Sequence, residues 1–374
     1  MFAMHLLYFN PQHDIALAQG LCHSTPPKMA ALFARQCAWV MAWLYGDGFV
    51  WCPDGVDDST LTMGNDMGVR CVPVDTASGL PIDGVTCWGW DSAAAYDLAK
   101  LQVPPTLLPT DEYLHALREL QHRSTAARLI QDFLSSCASP CRYAEASFAA
   151  SSLAEVERYL AAHGDVIAKM PWSGSGQGIR PLGRHLSDNE RGWVNNTIAR
   201  QRAVILEPRY AVVQDFALEY TIDDACHFVG YSLFETRGGA YKSNMLLGDE
   251  AIRDAIGRYI DLALLDEAQA FIEQWLQHTM VGCYRGPLGI DMLVYARDEG
   301  FGLHPMVEIN MRHTMGLVAH ELRSRYPQWD GCRYAVEFGS PQSFYPDPVA
   351  VLTPVDDNTR YRCAILPPYN EQRL

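Results

Sequence analysis

Short apolar segments alternate with longer helical stretches in the first part of the chain. Segments such as "HLLYFN" (5–10) and "VTCWGW" (85–90) are bounded by Gly, Pro or Asp, which is typical of buried strands. Residues 26–45 have a helical pattern that begins at a pair of prolines and ends near Gly46. This alternation predicts an open α/β sheet over roughly the first 100 residues.

The pattern changes after a Pro-rich segment at 103–112, which is typical of a linker. Helices and short strands then mix, and one helix begins with a capping box formed by Ser187 and Glu190. Longer strands follow, then a helix over about 250–280 and two late strands that flank a turn at "RDEG". We therefore predict three domains, with the boundaries 1–110, 111–207 and 208–374.

Composition and charge exclude several classes of protein. The chain has 374 residues, 48% of them hydrophobic, and a formal net charge of −15. Such a chain is not globally disordered, and its charge argues against binding to nucleic acid or to anionic membranes. The N-terminus lacks the basic segment of a signal peptide, and the apolar stretches are too short to cross a bilayer. The 11 cysteines contain no CxxC pair, so we interpret them as mostly buried free thiols of a cytoplasmic protein.

Three strongly polar residues occupy alternate positions in the late segment "MVEINMRHTMG". A strand there would present Glu308, Asn310 and Arg312 on one face. If this strand pairs with the preceding one about the predicted turn, Asp291 lies near Glu308. Two carboxylates about 5 Å apart repel by roughly 3 kcal/mol at an effective dielectric constant of about 20. A divalent cation would offset this, and the oxygen atoms of Asp291, Glu308 and Asn310 suit Mg²⁺. The alternative is a solvated polar face with a Glu–Arg surface pair.

A glycine-rich segment follows an apolar strand in "VIAKMPWSGSGQGIRP" (166–181). Lys169 lies in the strand, and the segment after it contains Ser173, Gly174, Ser175, Gly176, Gln177 and Gly178. Glycines let the backbone approach phosphate groups and donate N–H groups to them. The spacing matches neither a Walker loop nor the glycine pattern of a dinucleotide fold. We interpret the segment as phosphate-binding, with an ordinary flexible hairpin loop as the alternative.

The segment "VILEPRY" (204–210) is an apolar strand that ends in Glu-Pro, where two of the predicted domains join. A hinge of this kind can present backbone groups to an adenine and a carboxylate to a sugar. Later in the chain, "GGAYKSNM" places Lys242 and Asn244 on one strand face. Lys242 is a catalytic candidate that would meet a substrate carboxylate or a γ-phosphate, and a solvated edge lysine is the alternative.

The order of these motifs resembles the ATP-grasp family, which includes biotin carboxylase, glutathione synthetase and D-alanine–D-alanine ligase. The resemblance covers residues 120–325, and "VEINMR" is its most specific match. It implies an ATP-grasp fold, of mixed α/β and α+β class, preceded by an open α/β (pre-ATP-grasp) domain.

The resemblance also implies roles for the nucleotide-binding residues. Lys169 would contact the α- and β-phosphates and the adenine edge, and the segment from Ser173 to Gly178 would close over the β- and γ-phosphates. Leu206 and Glu207 would form the adenine hinge.

The metal-binding and catalytic roles follow in the same way. Asp291, Glu308 and Asn310 would hold one or two Mg²⁺ ions, for which Mn²⁺ can substitute. Arg312 would stabilise the transferring phosphoryl group or a later oxyanion.

Two positions depart from the pattern of the family. The lysine that usually opens the central domain is replaced by Arg123 or Arg128 in "QHRSTAARL", and arginine can bind phosphate bidentately. The acid that binds the ribose lies further from the hinge than usual. Asp215 and Glu219 are the candidates, and Glu219 in "LEYTI" is the closer match.

The activity implied by the resemblance is ATP-dependent ligation. ATP would phosphorylate a substrate carboxylate to an acylphosphate, which an amine then attacks. The substrates would be small molecules, such as an amino acid or a peptide-like compound, with no nucleic-acid or membrane partner. Two alternatives remain open: a kinase that phosphorylates a small molecule, and a nucleotide-binding protein without turnover.

Overall fold

The computed structural model describes residues 4–174, 178–237 and 240–369. The chain divides into two compact units, each built from more than one segment. The first comprises Met1–Leu117, Lys242–Gly248 and Leu317–Leu374, and the second comprises Arg118–Tyr241 and Asp249–Gly316. The three consecutive domains suggested by the sequence stay a prediction.

The N-terminal part of the first unit is an open α/β structure, as predicted. Its strands are β1 (His5–Tyr8), β2 (Phe49–Trp51), β3 (Val72–Val74) and β4 (Gly84–Cys87). They form a parallel sheet in the order β3-β2-β1-β4. The helices are α1 (His13–Gln19), α2 (Lys28–Gln36), α3 (Val40–Tyr45), α4 (Asp58–Asp66) and α5 (Ser92–Lys100). The single helix predicted over 26–45 is therefore two helices, separated by a turn at 37–39 that buries all three side chains.

Further strands of the first unit come from later in the chain. They are β11 (Ala240–Met245), which begins in the second unit, β14 (Arg333–Phe338), β15 (Ala350–Val351) and β16 (Tyr361–Leu366). They pair antiparallel in the order β11-β14-β16-β15. Helices α6 (Asp111–Leu120) and α12 (Met315–Arg325) connect segments of the two units, and α12 is the final helix that the sequence predicted.

The second unit contains a small antiparallel sheet with helices packed on it. Its strands are β5 (Phe148–Ala150), β6 (Val166–Lys169), β7 (Ile179–Leu182) and β8 (Val204–Pro208), in the order β5-β8-β6-β7. The helices of this part are α7 (Ser124–Ser136), α8 (Leu153–His163) and α9 (Asp188–Gln201). The capping box at the start of α9 is confirmed, since Ser187 and Glu190 exchange hydrogen bonds between side chain and backbone.

The longest strands of the second unit lie side by side in the order β13-β12-β9-β10. They are β9 (Ala211–Ile222), β10 (Cys226–Arg237), β12 (Gly286–Ala296) and β13 (Phe301–Asn310), all paired antiparallel. The predicted hairpin between β12 and β13 is confirmed. The helix predicted over about 250–280 is divided into α10 (Asp249–Gly257) and α11 (Leu262–Thr279), because Asp261 caps the start of a new helix.

The cysteines and the apolar helices were both the subject of a prediction from the sequence. All eleven cysteines are free, and the buried ones are Cys37, Cys52, Cys71, Cys87, Cys332 and Cys363. Within the described ranges, no helix is both long enough and apolar enough to span a bilayer.

Candidate functional site

Two carboxylates face each other where β12 and β13 pair. Asp291 lies opposite Glu308 in antiparallel register, so the two are near each other as the sequence predicted, and Asp291 lies opposite Ala217 of β9 on its other side. Burial first, and then the carboxylates of Glu308 and Glu219, raise the pKa of Asp291 well above its usual range. Asn310, two residues after Glu308, donates a side-chain hydrogen bond to Asp291. Carboxylates are therefore in excess at this end of the sheet.

The donor atoms of this cluster suit a hard cation. Asp291, Glu308 and Asn310 offer oxygen atoms only, and these are the ligands that Mg²⁺ prefers. In the part of the chain that the structure describes, no three His, Cys, Asp or Glu side chains group in a metal-binding arrangement. The amide oxygen of Asn310 could serve as a ligand beside the two carboxylates. Because a divalent cation would offset the repulsion between the carboxylates of Asp291 and Glu308, the residues present fit such an ion.

Arg312 lies just beyond the end of β13. Its Nη2 donates to Oδ1 of Asn310 at 3.0 Å, and its Nη1 donates to the backbone carbonyl of His313 at 3.0 Å. The positive charge of Arg312 lowers the pKa of Asp291, although burial and the neighbouring carboxylates outweigh it. The guanidinium is thus held beside the carboxylate cluster.

A buried ion pair joins two strands of the small sheet. The ammonium of Lys169 on β6 lies 2.5 Å from Oε1 of Glu207 on β8, and both side chains are buried. Burial alone would raise the pKa of Glu207. The charges of Lys169 and His304 and the hydrogen bond from Lys169 outweigh it and lower that pKa to about 2. The carboxylate is therefore fully ionised at neutral pH and matched by a partner.

His304 was not identified from the sequence. It lies on β13, four residues before Glu308, and is fully buried, with Nε2 3.5 Å from Oε2 of Glu207. The signal was present, since His304 has the same strand parity as Glu308 and Asn310. An isolated His in an apolar strand is more often a core residue, and only its contact with Glu207 relates it to the site.

Arg123 and Arg128 differ sharply in their surroundings. Arg123, just before α7, is buried, and its Nη2 lies 2.6 Å from Oε1 of Glu308. Its guanidinium also donates to the carbonyl of Met170 at 2.6 Å and to Oγ and the carbonyl of Ser173 at 2.5 and 2.9 Å. Arg128 is exposed, and its Nη2 donates to Thr125 on its own helix at 3.4 Å. Of the two predicted candidates, the structure brings Arg123 to the carboxylate cluster.

The glycine-rich segment is described at both of its ends. Ser173 is buried, and Gly178 has a φ of +77°, a conformation that favours glycine. The carbonyl of Gly178 accepts a hydrogen bond from the backbone N–H of Met170 at 2.9 Å, which closes the hairpin between β6 and β7. Gly174 is described as well, whereas Ser175, Gly176 and Gln177 lie outside the described residues.

Two other predicted residues lie in different surroundings. Leu206 is in the middle of β8, paired with β5 on one side and β6 on the other, and its side chain is fully buried. Its role in an adenine hinge stays a prediction. Lys242 belongs to the first unit, where it is exposed and donates to the hydroxyl of Tyr369 at 3.2 Å. The catalytic role of Lys242 stays a prediction.

The two candidate ribose-binding acids lie at different places along β9. Asp215 is half-buried, accepts from Thr236 at 3.0 Å, and is close enough to Lys169 for that ammonium to lower its pKa, although burial raises it overall. Glu219 is almost completely buried and accepts from Thr314 at 2.7 Å and from Ser232 at 2.9 Å. Burial raises its pKa to about 7, which those two hydrogen bonds only partly offset. Asp215 thus shares the surroundings of the buried ion pair, and Glu219 those of Asp291.

Comparison with known proteins identifies the fold. No protein-family model and no curated protein sequence matches the chain. N5-carboxyaminoimidazole synthetase from Staphylococcus aureus is structurally similar, both in complex with ADP (TM-score 0.52) and in a second crystal structure (TM-score 0.51). Both are 10% identical in sequence, over 100% of this chain and 95% of the other. The N5-carboxyaminoimidazole ribonucleotide synthetase of Thermus thermophilus superposes with a TM-score of 0.49 and 13% identity, over 99% of this chain and 94% of the other.

The similarity to the Staphylococcus aureus structures covers residues of both units, so it is not confined to one part of the chain. The expectation derived from the motifs is confirmed at this level: the chain has the ATP-grasp fold, of mixed α/β class. At 10% identity the similarity establishes the fold alone.

Proposed function

We propose that the protein is an ATP- and Mg²⁺-dependent ligase that activates a substrate carboxylate as an acylphosphate for attack by an amine. The fold supports this proposal, and so does the similarity to an enzyme that was crystallised with ADP. The proposal rests mainly on how the charged residues of the second unit are arranged.

The observation that carries the proposal is the distribution of polar residues along β13. His304 contacts the Lys169–Glu207 ion pair, and Glu308 pairs with Asp291 further along the same strand. His304 and Glu308 are four positions apart on β13, and the register with β12 shifts between them, so that they lie opposite Leu293 and Asp291. The two clusters are therefore neighbours along one strand. One strand therefore relates a buried cluster suited to a base and sugar to a carboxylate cluster suited to a metal–phosphate group.

The residues of the site divide the work of phosphoryl transfer between them. Lys169 and Arg123 bind phosphate oxygens, and Asp291, Glu308 and Asn310 hold the cation. Arg312 stabilises the charge that spreads over the transferring phosphoryl group. Mg²⁺, when bound, neutralises the charge of the phosphate oxygens and orients them. Phosphoryl transfer depends mainly on positioning and charge neutralisation, which this set of residues can supply.

The geometry favours one of the alternatives at each of the two positions that depart from the family pattern. Arg123 is proposed as the arginine that replaces the usual lysine, because it is bonded to the start of the glycine-rich segment whereas Arg128 is exposed. Asp215 is proposed as the acid that contacts the ribose, because it lies near Lys169 and remains partly accessible. The carboxylate of Glu219 is enclosed by Gly289, Gly316 and two hydroxyl donors, which leaves no room for a sugar.

Trapping the activated acid tests the proposal directly. The protein is incubated with Mg·ATP, pooled carboxylate metabolites and hydroxylamine, and both ADP and hydroxamate are followed. We expect both products, because hydroxylamine captures an acylphosphate in place of the natural amine. ADP without hydroxamate would instead indicate a kinase, and nucleotide binding without ADP would indicate a protein without turnover.

A matched pair of variants connects that result to the site. Glu308→Gln should abolish formation of ADP and hydroxamate, since it removes a charged ligand of the cation. Glu299→Gln, in the exposed turn between β12 and β13, should leave both rates unchanged. Equal loss of activity in the two variants would contradict the assignment of the metal site.

A further inference from the structure

One guanidinium connects two parts of the second unit that phosphoryl transfer would use separately. Arg123 lies 2.6 Å from Oε1 of Glu308, a proposed ligand of the cation. It also donates to the carbonyls of Met170 and Ser173 at 2.6 and 2.9 Å, at the start of the glycine-rich segment. We propose that Arg123 is a latch residue: cation binding at Glu308 releases it, and this release changes how firmly residues 170–174 are held. This inference rests on the proposed function.

Burial makes the Arg123–Glu308 contact energetically significant. Only 5% of Arg123 is exposed, against 21% of the Glu308 side chain. The Nε of Arg123 has no hydrogen-bond partner among the described residues, and its other partners are neutral oxygen atoms. Glu308 therefore supplies the negative charge that balances a buried cation, and removing one partner of such a pair leaves the other uncompensated.

A divalent cation competes with Arg123 for the same carboxylate. Ligation of Glu308 neutralises the charge that Arg123 depends on, so cation binding alone carries the cost of leaving a buried guanidinium unpaired. Phosphate oxygens of a nucleotide provide a replacement partner, which arginine can bind bidentately. Cation and nucleotide then bind cooperatively. The nucleotide supplies a partner for the guanidinium that the cation leaves unpaired, and the cation releases Arg123 from Glu308 so that it can bind phosphate.

The contacts with Met170 and Ser173 extend this coupling to the glycine-rich segment. The backbone N–H of Arg123 also donates to the carbonyl of Pro171 at 3.3 Å, so three backbone carbonyls at the start of the segment accept from this one residue. When Glu308 no longer fixes the guanidinium, these contacts are held less firmly. When phosphate fixes it again, residues 170–174 are again held firmly.

The first test is a titration of the full-length protein with Mn²⁺ in the absence of nucleotide, with free Mn²⁺ followed by electron paramagnetic resonance. Arg123→Met should bind Mn²⁺ about tenfold more tightly than the unaltered protein, the factor that corresponds to one charge-assisted hydrogen bond. Arg128→Met removes a charge from the same helix without such a contact, and its affinity should change by less than about threefold. If Arg123→Met does not fold, Arg123→Lys serves instead, and a smaller gain in affinity is expected.

The second test measures hydrogen exchange in a peptide that contains residues 170–174. Mn²⁺ alone should raise the exchange of this peptide in the unaltered protein, and Mn²⁺ with a non-hydrolysable ATP analogue should lower it. In Arg123→Met, exchange should already be high and Mn²⁺ alone should not change it. Equal responses in the two proteins would contradict the proposed role of Arg123 as a latch residue.

Failure of the latch can be distinguished from failure of the proposed function. Suppose that Mn²⁺ binds, that Glu308→Gln lowers the affinity for Mn²⁺, and that Arg123→Met does not raise it. The cation site is then supported, and the proposed role of Arg123 is wrong. If Glu308→Gln binds Mn²⁺ as well as the unaltered protein, the cation site and the latch are both wrong.

Discussion

The second unit contains two charged clusters. In one the carboxylate is matched by cationic side chains, and in the other carboxylates are in excess. Glu207 is matched by Lys169 and His304, and its pKa is lowered to about 2 despite burial. Asp291 lies among other carboxylates, and its pKa is raised well above its usual range. Both clusters contact β13, so the strand brings a balanced cluster and an unbalanced one into the same unit.

The difference indicates which cluster needs a ligand for its stability. A buried carboxylate that has its own cationic partner contributes to folding without help. A group of carboxylates that repel one another is costly to maintain, and such clusters are concentrated at functional sites. The balanced cluster is therefore expected to be preformed, and the unbalanced one to become stable when a cation binds.

Breaking the balanced cluster should have the largest effect. Glu207→Gln removes the carboxylate that contacts the buried ammonium of Lys169, so the free energy of unfolding should fall by about 3–5 kcal/mol at pH 7. Urea unfolding followed by circular dichroism measures this. The exposed substitution Glu299→Gln should stay within about 0.5 kcal/mol. A loss that small in Glu207→Gln would contradict the ion pair.

The pH dependence of this loss has a definite sign. The pKa of Glu207 is lowered from its usual 4.5 to about 2, so its ionised form stabilises the fold fully above pH 4.5. That contribution is lost as the pH falls from 4.5 towards 2. The gap in stability between the unaltered protein and Glu207→Gln should therefore narrow over this range. A gap that widens on acidification would mean that Lys169 does not govern the ionisation of Glu207.

Filling the unbalanced cluster should have the next largest effect. Mg²⁺ at about 100 times its dissociation constant should raise the free energy of unfolding by about 2.7 kcal/mol, because it binds the folded state alone. Thermal unfolding with and without the ion detects this. Asp291→Asn should show no such rise, since it lacks one of the charged ligands. An equal rise in both proteins would mean that the ion binds elsewhere.

Removing a charge from the unbalanced cluster should stabilise the protein when Mg²⁺ is withheld. Asp291→Asn relieves the repulsion with Glu308 and should raise the free energy of unfolding by about 1–2 kcal/mol at neutral pH. A raised carboxyl pKa destabilises the fold as the pH rises above the usual value of 3.8. The gain in Asp291→Asn should therefore grow from acidic to neutral pH, opposite to the trend for Glu207→Gln. Destabilisation by this substitution would show that the negative charge of Asp291 is already matched by positive charge in the folded protein.

The sequence was sufficient where local rules determine the geometry. The alternation of polar residues in β13 and the short turn before it predict a hairpin that brings Asp291 near Glu308. The turn alone would place Asp291 opposite Met306, and a register shift between Asp291 and Leu293 places it opposite Glu308 instead. The capping box at Ser187 was predictable from its local sequence. Each depends on residues close together in the chain.

Tertiary contacts determined what the sequence did not predict. Asp215 and Glu219 share one face of β9, so period-two spacing cannot say which of them lies near Lys169. The contact between Arg123 and Glu308 joins the start of a helix to a late strand, and nothing local specifies it. His304 was hidden for a similar reason, since its significance comes from Glu207 on a different sheet.

The smallest effect is expected for a substitution in the hairpin between β6 and β7. This hairpin begins at Lys169, and Arg123 donates hydrogen bonds to it. Gly178 has a φ of +77°, and a Cβ there would lie 3.0 Å from Sδ of Met170 and Cβ of Ser173. Gly178→Ala should therefore cost about 1 kcal/mol. If nucleotide binding requires this conformation, affinity for a fluorescent ATP analogue should fall about fivefold. Gly183→Ala, at the far end of β7, meets nothing closer than 3.7 Å and should bind normally. Equal affinities in the two variants would show that nucleotide binding does not depend on the turn at Gly178, and the hairpin would then contribute to folding alone.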